Sequence, residues 1–295
     1  MRRIRRSERG SQIGTSPPRR ESSRPLPRVV IRVREPLEAC WAWAYPGGMA
    51  LTGDSLISAG PDTRMLRVAT WNCGTALKRE AQVLAELAAD VVVLQGVAAA
   101  DLDALDGHLF AGPPSSGLAV VPFNGWSFTP SVEDPQLAGL LYCQVVDPVG
   151  NHVADLAGVW ALTGRDVASY TDQFAAILSF VATRQSTQSL IVAGDFNASA
   201  QGPNVNAHAA NVETARQLGL ISAYHQANGI AHGQEPTMTL RWWGKGGEER
   251  GYHCDFIFCS QQLAGPDTSA SVGDWATWVE SERSDHAPLL ATLVI

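Results

Sequence analysis

Short apolar runs that stop abruptly at an acid, an amide or an imidazole constrain this chain more than any other feature. LRVATWN ends at Asn72, SLIVAGDFN carries Asp195 and Asn197, YHCDFIFC carries Asp255, and SDHAPLLATLV opens with Asp285 and His286. Runs of this length, rich in Val, Ile, Leu and Phe, have the length of buried strands. The longest apolar stretches fall far short of the roughly 18 residues that a membrane-spanning helix needs. Each polar residue therefore sits where a strand leaves the core, at a sheet's rim.

Between these runs the hydrophobic period changes to that of helices. Leu77, Ala81, Leu84 and Ala88 recur at helical spacing, with Asp90 marking the end of that helix and VVVLQ at 91–95 the next strand. Further strands are expected at 118–121, 140–146 and 153–162, a helix at 170–182 with Phe174, Ile177, Leu178 and Val181 on one face, and a short helix carrying Val212, Ala215 and Leu218. The chain ends in strands at 256–259 and 288–295, separated by a polar loop at 273–285. Hairpin-like strand pairs are too many for a purely parallel sheet, so the pattern predicts an α/β layered fold with paired sheets.

Composition bounds the function classes. Of 295 residues 45% are hydrophobic and 17% charged, which is too apolar for a disordered protein. Charge is split unevenly: residues 1–34 hold eleven Arg and two Glu, whereas the remainder holds eleven Lys and Arg against 27 Asp and Glu. An acidic body repels polyanions, so any phosphate chemistry must work through a metal or a local basic strip. Residues 1–64 mix Arg, Ser and Pro and are expected to be a disordered or dispensable basic extension, with Met49 and Met65 as alternative starts and the globular unit spanning 65–295. Five cysteines (Cys40, Cys73, Cys143, Cys254, Cys259) form no CxxC pair, which argues against a disulfide framework and a structural zinc site. Without a secretory apolar region after the basic start, a cytoplasmic location is the expectation. Neither a P-loop nor a dinucleotide GxGxxG is present, so nucleotide-driven and hydride chemistry have no support.

Acid, amide and imidazole groups gathered at strand ends are what metal-assisted hydrolysis uses. A carboxylate accepts a proton from water, amides hold phosphate oxygens, an imidazole stabilises developing charge, and a second carboxylate orients it. GDFN together with SDHAPL, in this order, resembles the endonuclease/exonuclease/phosphatase superfamily, and TWNCG, GLAVV, VWAL, SAYH and GYHCDFIF resemble a group of its small bacterial members. The resemblance covers 66–295 and implies a four-layer α/β sandwich with two central mixed β-sheets flanked by helices. It also implies roles: Asp195 as the base that activates water, Asn197 holding the phosphate or that water, His286 on the scissile phosphate, Asp255 orienting His286, and Asn72 and Asp285 beside Mg²⁺ or Mn²⁺. The implied reaction is hydrolysis of a phosphoester in nucleic acid, a nucleotide, or a phospholipid or inositol head group, with no stable protein partner implied.

The chain departs from the family pattern where a strand normally ends in LQE. Here it reads VVVLQGV, with Gly96 in place of the principal carboxylate ligand. Gly74 stands where some members carry an Asp, and Ala161 where many carry a His or Tyr. Two readings follow: a phosphodiesterase of reduced activity, or a lapsed member that binds a phosphorylated ligand without turning it over. His225, His232 and His253 are candidate substrate contacts, as is Trp242, which with Trp243, Arg241 and Lys245 makes an aromatic and basic loop suited to stacking a base or sugar. Asp101, Asp103 and Asp106 lack the Gly and terminal Glu of a calcium loop and read as a solvated face.

Overall fold

A computed structural model describes residues 64–295, apart from 75, 80–81, 132–136, 165, 185–188 and 203. The expected basic extension and Cys40 lie outside the described residues. In chain order the strands are β1 (Met65–Asn72), β2 (Val91–Val97), β3 (Leu109–Ala111), β4 (Gly117–Pro122), β5 (Ser127–Pro130), β6 (Leu140–Val146), β7 (His152–Trp160), β8 (Leu190–Asp195), β9 (Leu220–Ser222), β10 (Leu240–Trp243), β11 (Glu249–Tyr252), β12 (Asp255–Ser260), β13 (Ser269–Val272) and β14 (Leu289–Val294). The helices are α1 (Ala76–Arg79), α2 (Val83–Glu86), α3 (Tyr170–Ala182), α4 (Val205–Gln217) and α5 (Ala223–Asn228). Two six-stranded sheets result, ordered β13-β14-β1-β2-β4-β3 and β5-β6-β7-β8-β12-β9, with β10 and β11 as a separate hairpin. Both sheets are mixed. The pairs β1–β2 and β7–β8 are parallel and every other ladder is antiparallel.

Strand periodicity divides the apolar residues into three cores. Leu66, Val68, Val91 and Val93 of the first sheet meet Leu156, Ile191, Ala193 and Ile257 of the second between the sheets. The alternate residues Ala69, Trp71, Val92 and Leu94 face outward onto α1, α2 and Trp278. On the far side Val192, Phe256 and Phe258 pack under Phe174, Ile177, Leu178 and Val181 of α3. Helices outside two face-to-face sheets make the four-layer α/β sandwich.

Several expected elements differ in extent. The single helix expected over 77–88 is two one-turn helices, α1 and α2, whose residues Ala76, Leu77, Val83 and Leu84 are buried. Asp90 is less a helix stop than a clamp. Its carboxylate accepts from the Arg67 backbone and guanidinium and from Asn124 Nδ2. Helix α4 begins seven residues before Val212, because it buries His208 and Asn211, polar residues that a search for apolar spacing passes over. Within the expected polar loop at 273–285, Ala276–Glu280 forms a π-helical turn that buries Trp278 and Val279. No helix among the described residues is long and apolar enough to cross a membrane.

Candidate active site

The strands that carry the inter-sheet core also carry the site. Inward positions run Leu66, Val68, Thr70 and Asn72 on β1, Ile191, Ala193 and Asp195 on β8, and Asp255, Ile257 and Cys259 on β12. The same face that is apolar mid-sheet therefore turns polar at one end. Asp195 and Asp255 are direct antiparallel partners across β8 and β12. His286 comes from the other sheet, just before β14, where Trp71 Nε1 donates to its carbonyl oxygen (2.9 Å) and its backbone N–H donates to Ser284 Oγ (3.1 Å).

Three donors converge on Asp195. Asn72 Nδ2 (3.0 Å) and Asn197 Nδ2 (2.9 Å) donate to Oδ2, and the Asn197 backbone N–H (2.8 Å) donates to Oδ1. Asn197 Nδ2 also donates to the Ala161 carbonyl (3.0 Å), and the residue adopts a left-handed φ of 49°, a conformation Asn tolerates better than most residues. Gly194 is needed beneath it, since a Cβ there would lie 1.9 Å from the Val159 carbonyl oxygen. His286 Nδ1 lies 2.9 Å from Asp255 Oδ2, which leaves Nε2 facing Asp195 Oδ2 at 3.9 Å. Asp195, Asp255 and His286 are all buried, and the partly exposed Asn72 and Asn197 sit at the surface above them.

Burial pushes the Asp195 carboxyl up, to about 6, against the pull of His286 and its hydrogen bonds and with help from the neighbouring Asp255 charge. A base tuned toward neutrality is more effective than one at the ordinary carboxylate value. For His286 burial alone would lower the value, but the Asp255 and Asp195 carboxylates outweigh it and hold the ring protonated up to about 9. An imidazolium thus lies between two carboxylates at neutral pH, suited to meeting an anionic oxygen.

Asn72 and Asp285, expected beside a divalent cation, flank the buried group Asp195, Cys254, Asp255 and His286, whose ligand atoms lie within 4.8 Å of one another. Asn72 commits its Nδ2 to Asp195, and its Oδ1 lies on the side of Gly96; Asp285 is exposed. One amide oxygen and one carboxylate suit a hard cation that keeps most of its own waters, as Mg²⁺ does. Gly96 occupies the irregularity between Gln95 and Val97 where β2 pairs with β4, at φ 75°, and a Cβ there would lie 3.1 Å from Asn72 Oδ1. The backbone here favours glycine itself.

Other expected residues fall elsewhere. Trp242 is on β10 and exposed, two residues from Leu240, which bridges to His286, while the Arg241 N–H donates to the Asp285 carbonyl oxygen (2.8 Å). The hairpin therefore forms a wall beside the mouth. His225 and His253 are buried in a separate cluster with His232, His208 and Glu235, packed around Phe256. Two contributors were given no role in the sequence reading. Thr239 Oγ1 accepts from the backbone N–H groups of Cys254 and Asp255, and Ser284 Oγ donates to the Asn72 carbonyl oxygen (2.6 Å). Thr239 sits in no run with a local signal, whereas Ser284 opens SDHAPL and reaches back 212 residues to Asn72.

This arrangement is a four-layer α/β sandwich with a polar cluster where the two sheets meet. The sequence profile of the Endonuclease/Exonuclease/phosphatase family matches residues 69–286, and the chain belongs to that family. Among solved structures it is similar to the 3′ phosphatase NExo from Neisseria bound to product DNA hairpin, at 22% identity and TM-score 0.56, over 77% of this chain and 98% of that one. It is also similar to TDP2 from C. elegans (16%, TM-score 0.57, 80% and 78%) and to the AP endonuclease LMAP from Leishmania major (17%, TM-score 0.56, 79% and 88%). No curated protein matches the sequence significantly.

Proposed function

We propose that this chain is a divalent-metal-assisted phosphoester hydrolase of reduced activity, acting on a phosphodiester or phosphomonoester of nucleic acid, a nucleotide or a head group. The observation that carries this is the buried line Asp195–His286–Asp255, with Nε2 at 3.9 Å from Asp195 and Nδ1 at 2.9 Å from Asp255. The similar structures include proteins described as a phosphatase bound to DNA and as an AP endonuclease, which favours nucleic acid or its fragments as the first substrates to try.

In this reading Asn72 and Asn197 release Asp195 Oδ2 as substrate binds and turn their amides to the phosphate or the attacking water. Asp195 then accepts the water's proton. His286, held in one orientation by Asp255, presents a charged N–H to the oxygen on which charge accumulates. Mg²⁺ or Mn²⁺, when bound by Asn72 and Asp285, would supply charge neutralisation of the phosphate oxygens. Trp242 offers a ring face beside the mouth on which a base or sugar stacks.

Gly96 favours a second reading, a lapsed family member that binds a phosphorylated ligand without hydrolysis. Turnover of a bis-phosphodiester and of 3′-phosphorylated and abasic DNA in Mg²⁺ or Mn²⁺ separates the two. Hydrolysis abolished by Asp195→Ala supports the enzyme. A ligand-dependent rise in melting temperature without product supports the binder and sinks the hydrolase.

A further inference from the structure

Four of the chain's seven histidines lie together, away from the mouth just described. His208 of α4, His225 of α5, His232, and His253 surround the Phe256 ring and one carboxylate, Glu235. The His225 and His232 rings stack with centroids 3.6 Å apart. His208, His225, His253 and Glu235 are buried, and His232 is half-buried.

What sets this cluster apart is its unspent hydrogen-bonding capacity. Both nitrogens of His208, His232 Nδ1, His253 Nε2 and Glu235 Oε2 are buried with no hydrogen-bond partner among the described residues. Leaving one such group unsatisfied costs roughly 1–3 kcal/mol, so five in one place call for a ligand.

We propose that His225, His232 and Glu235 form a binding site for a borderline divalent transition metal, with Zn²⁺ the best match to two imidazoles and a carboxylate. One ligand atom from each of the three lies within 4.8 Å of the others. Outer contacts that orient ligands are already in place. Ser222 Oγ is 2.8 Å from His225 Nδ1, and a hydroxyl supports either ring tautomer. The Gly233 N–H donates to Glu235 Oε1 (2.8 Å), leaving Oε2 for an ion. Nearby, His253 Nδ1 donates to the Thr237 carbonyl (3.0 Å), which directs the lone pair of its unpartnered Nε2 into the cluster.

Metal-free, His225 Nε2 donates to Glu235 Oε1 at 2.9 Å. Closing the site replaces that contact, the ring proton exchanging from Nε2 to Nδ1. Two stacked rings cannot both aim an in-plane lone pair at one ion, so His232 must also turn. A cavity of about 400 Å³ lined by Ser222, His225, Gln226, Ile230 and His232 gives that ring room and the ion a path and a water position. The site is independent of the hydrolase reading.

The test uses the full chain, stripped of metal with a chelator, titrated with Zn²⁺ by calorimetry and then loaded with Co²⁺. The expected result is one equivalent bound in the low-micromolar range or tighter. His232→Ala and Glu235→Gln should each weaken it by more than the roughly 10–100-fold that losing an outer contact costs, while Asp285→Asn leaves it unchanged. Wild-type protein that binds no Zn²⁺ in that range, or binding that survives both cluster substitutions or is lost with Asp285→Asn, overturns the proposal. If the variants unfold, the wild-type Co²⁺ spectrum still decides: intense visible bands indicate a four-coordinate site, and the weak bands of a six-coordinate ion overturn it.

Discussion

His286 Nδ1 sits 2.9 Å from Asp255 Oδ2, while the other oxygen of that buried carboxylate has no hydrogen-bond partner among the described residues. Among the described residues, Asp255 Oδ2 otherwise hydrogen-bonds only with the Cys254 thiol, at 3.8 Å. The carboxylate is thus committed to one imidazole, which it holds charged together with Asp195.

That commitment makes stability depend on pH. A histidine whose folded value is raised from 6.5 to about 9 adds stability that is fully present below its unfolded value and lost as pH rises through the folded one. Urea unfolding should therefore show a loss on the order of a few kcal/mol between pH 6.5 and 9.5. His286→Gln should abolish this slope. An unchanged slope in the variant would assign the effect to other groups. If the hydrolase reading holds, Asp255→Asn should also move the alkaline limb of activity to lower pH and cost about 100-fold or more in rate.

Gly96 is the place to test the weak metal set. With φ 75° and a would-be Cβ at 3.1 Å from Asn72 Oδ1, Gly96→Ala should lower stability by about 1–2 kcal/mol, read by thermal melting. Gly96→Glu should carry a similar strain yet bind Mn²⁺ more tightly in a titration followed by electron paramagnetic resonance. Equal Mn²⁺ affinity in wild type and variant would show that the mouth does not use this position.

Trp242 is 53% exposed, so its truncation should leave stability within about 0.5 kcal/mol of wild type. Under the proposed function Trp242→Ala should raise KM for an oligonucleotide while leaving kcat on a small bis-phosphodiester unchanged. Equal KM on both would remove the ring from substrate contact.

Asp90 joins β1 to the segment after β4 through Arg67 and Asn124. Burial raises its carboxyl, but the Arg67 and Asn124 hydrogen bonds prevail and hold it below the ordinary range. Asp90→Asn should cost about 1–3 kcal/mol at pH 7. The wild-type advantage should vanish in acid, because a depressed carboxyl contributes above its unfolded value near 3.9 and is lost as pH falls. An advantage that persists at pH 2 would contradict this account.

Strand ends were legible because burial leaves a strong local trace. A short, largely apolar run followed by Asp195 or Asn72 reports both a strand and its exit from the core. Helix α4 was foreshortened because its buried His208 and Asn211 are polar, and the segment at 276–280 was missed because Trp278 packs through tertiary contact with Trp71, centroids 5.0 Å apart, without a local period. Among the site residues, GDFN and SDHAPL were conspicuous as motifs, the latter opening with Ser284, whereas Thr239 had no pattern to reveal it.

The sequence by itself determined the strand runs and the polar residue at each end, since each is a property of neighbours along the chain; that Gly96 stands where a carboxylate is usual is implied by the family resemblance alone. Only the tertiary structure decided which polar ends meet. Pairing β12 antiparallel to β8 put Asp255 opposite Asp195, and packing the two sheets face to face brought His286 between them across 91 residues of chain from Asp195. The same packing drew His225 and His253 away from the mouth into a cluster with His232 and Glu235. Sequence spacing carries the period of a strand or helix, but the sheet on which a residue finally rests is set by long-range pairing, which no local pattern encodes.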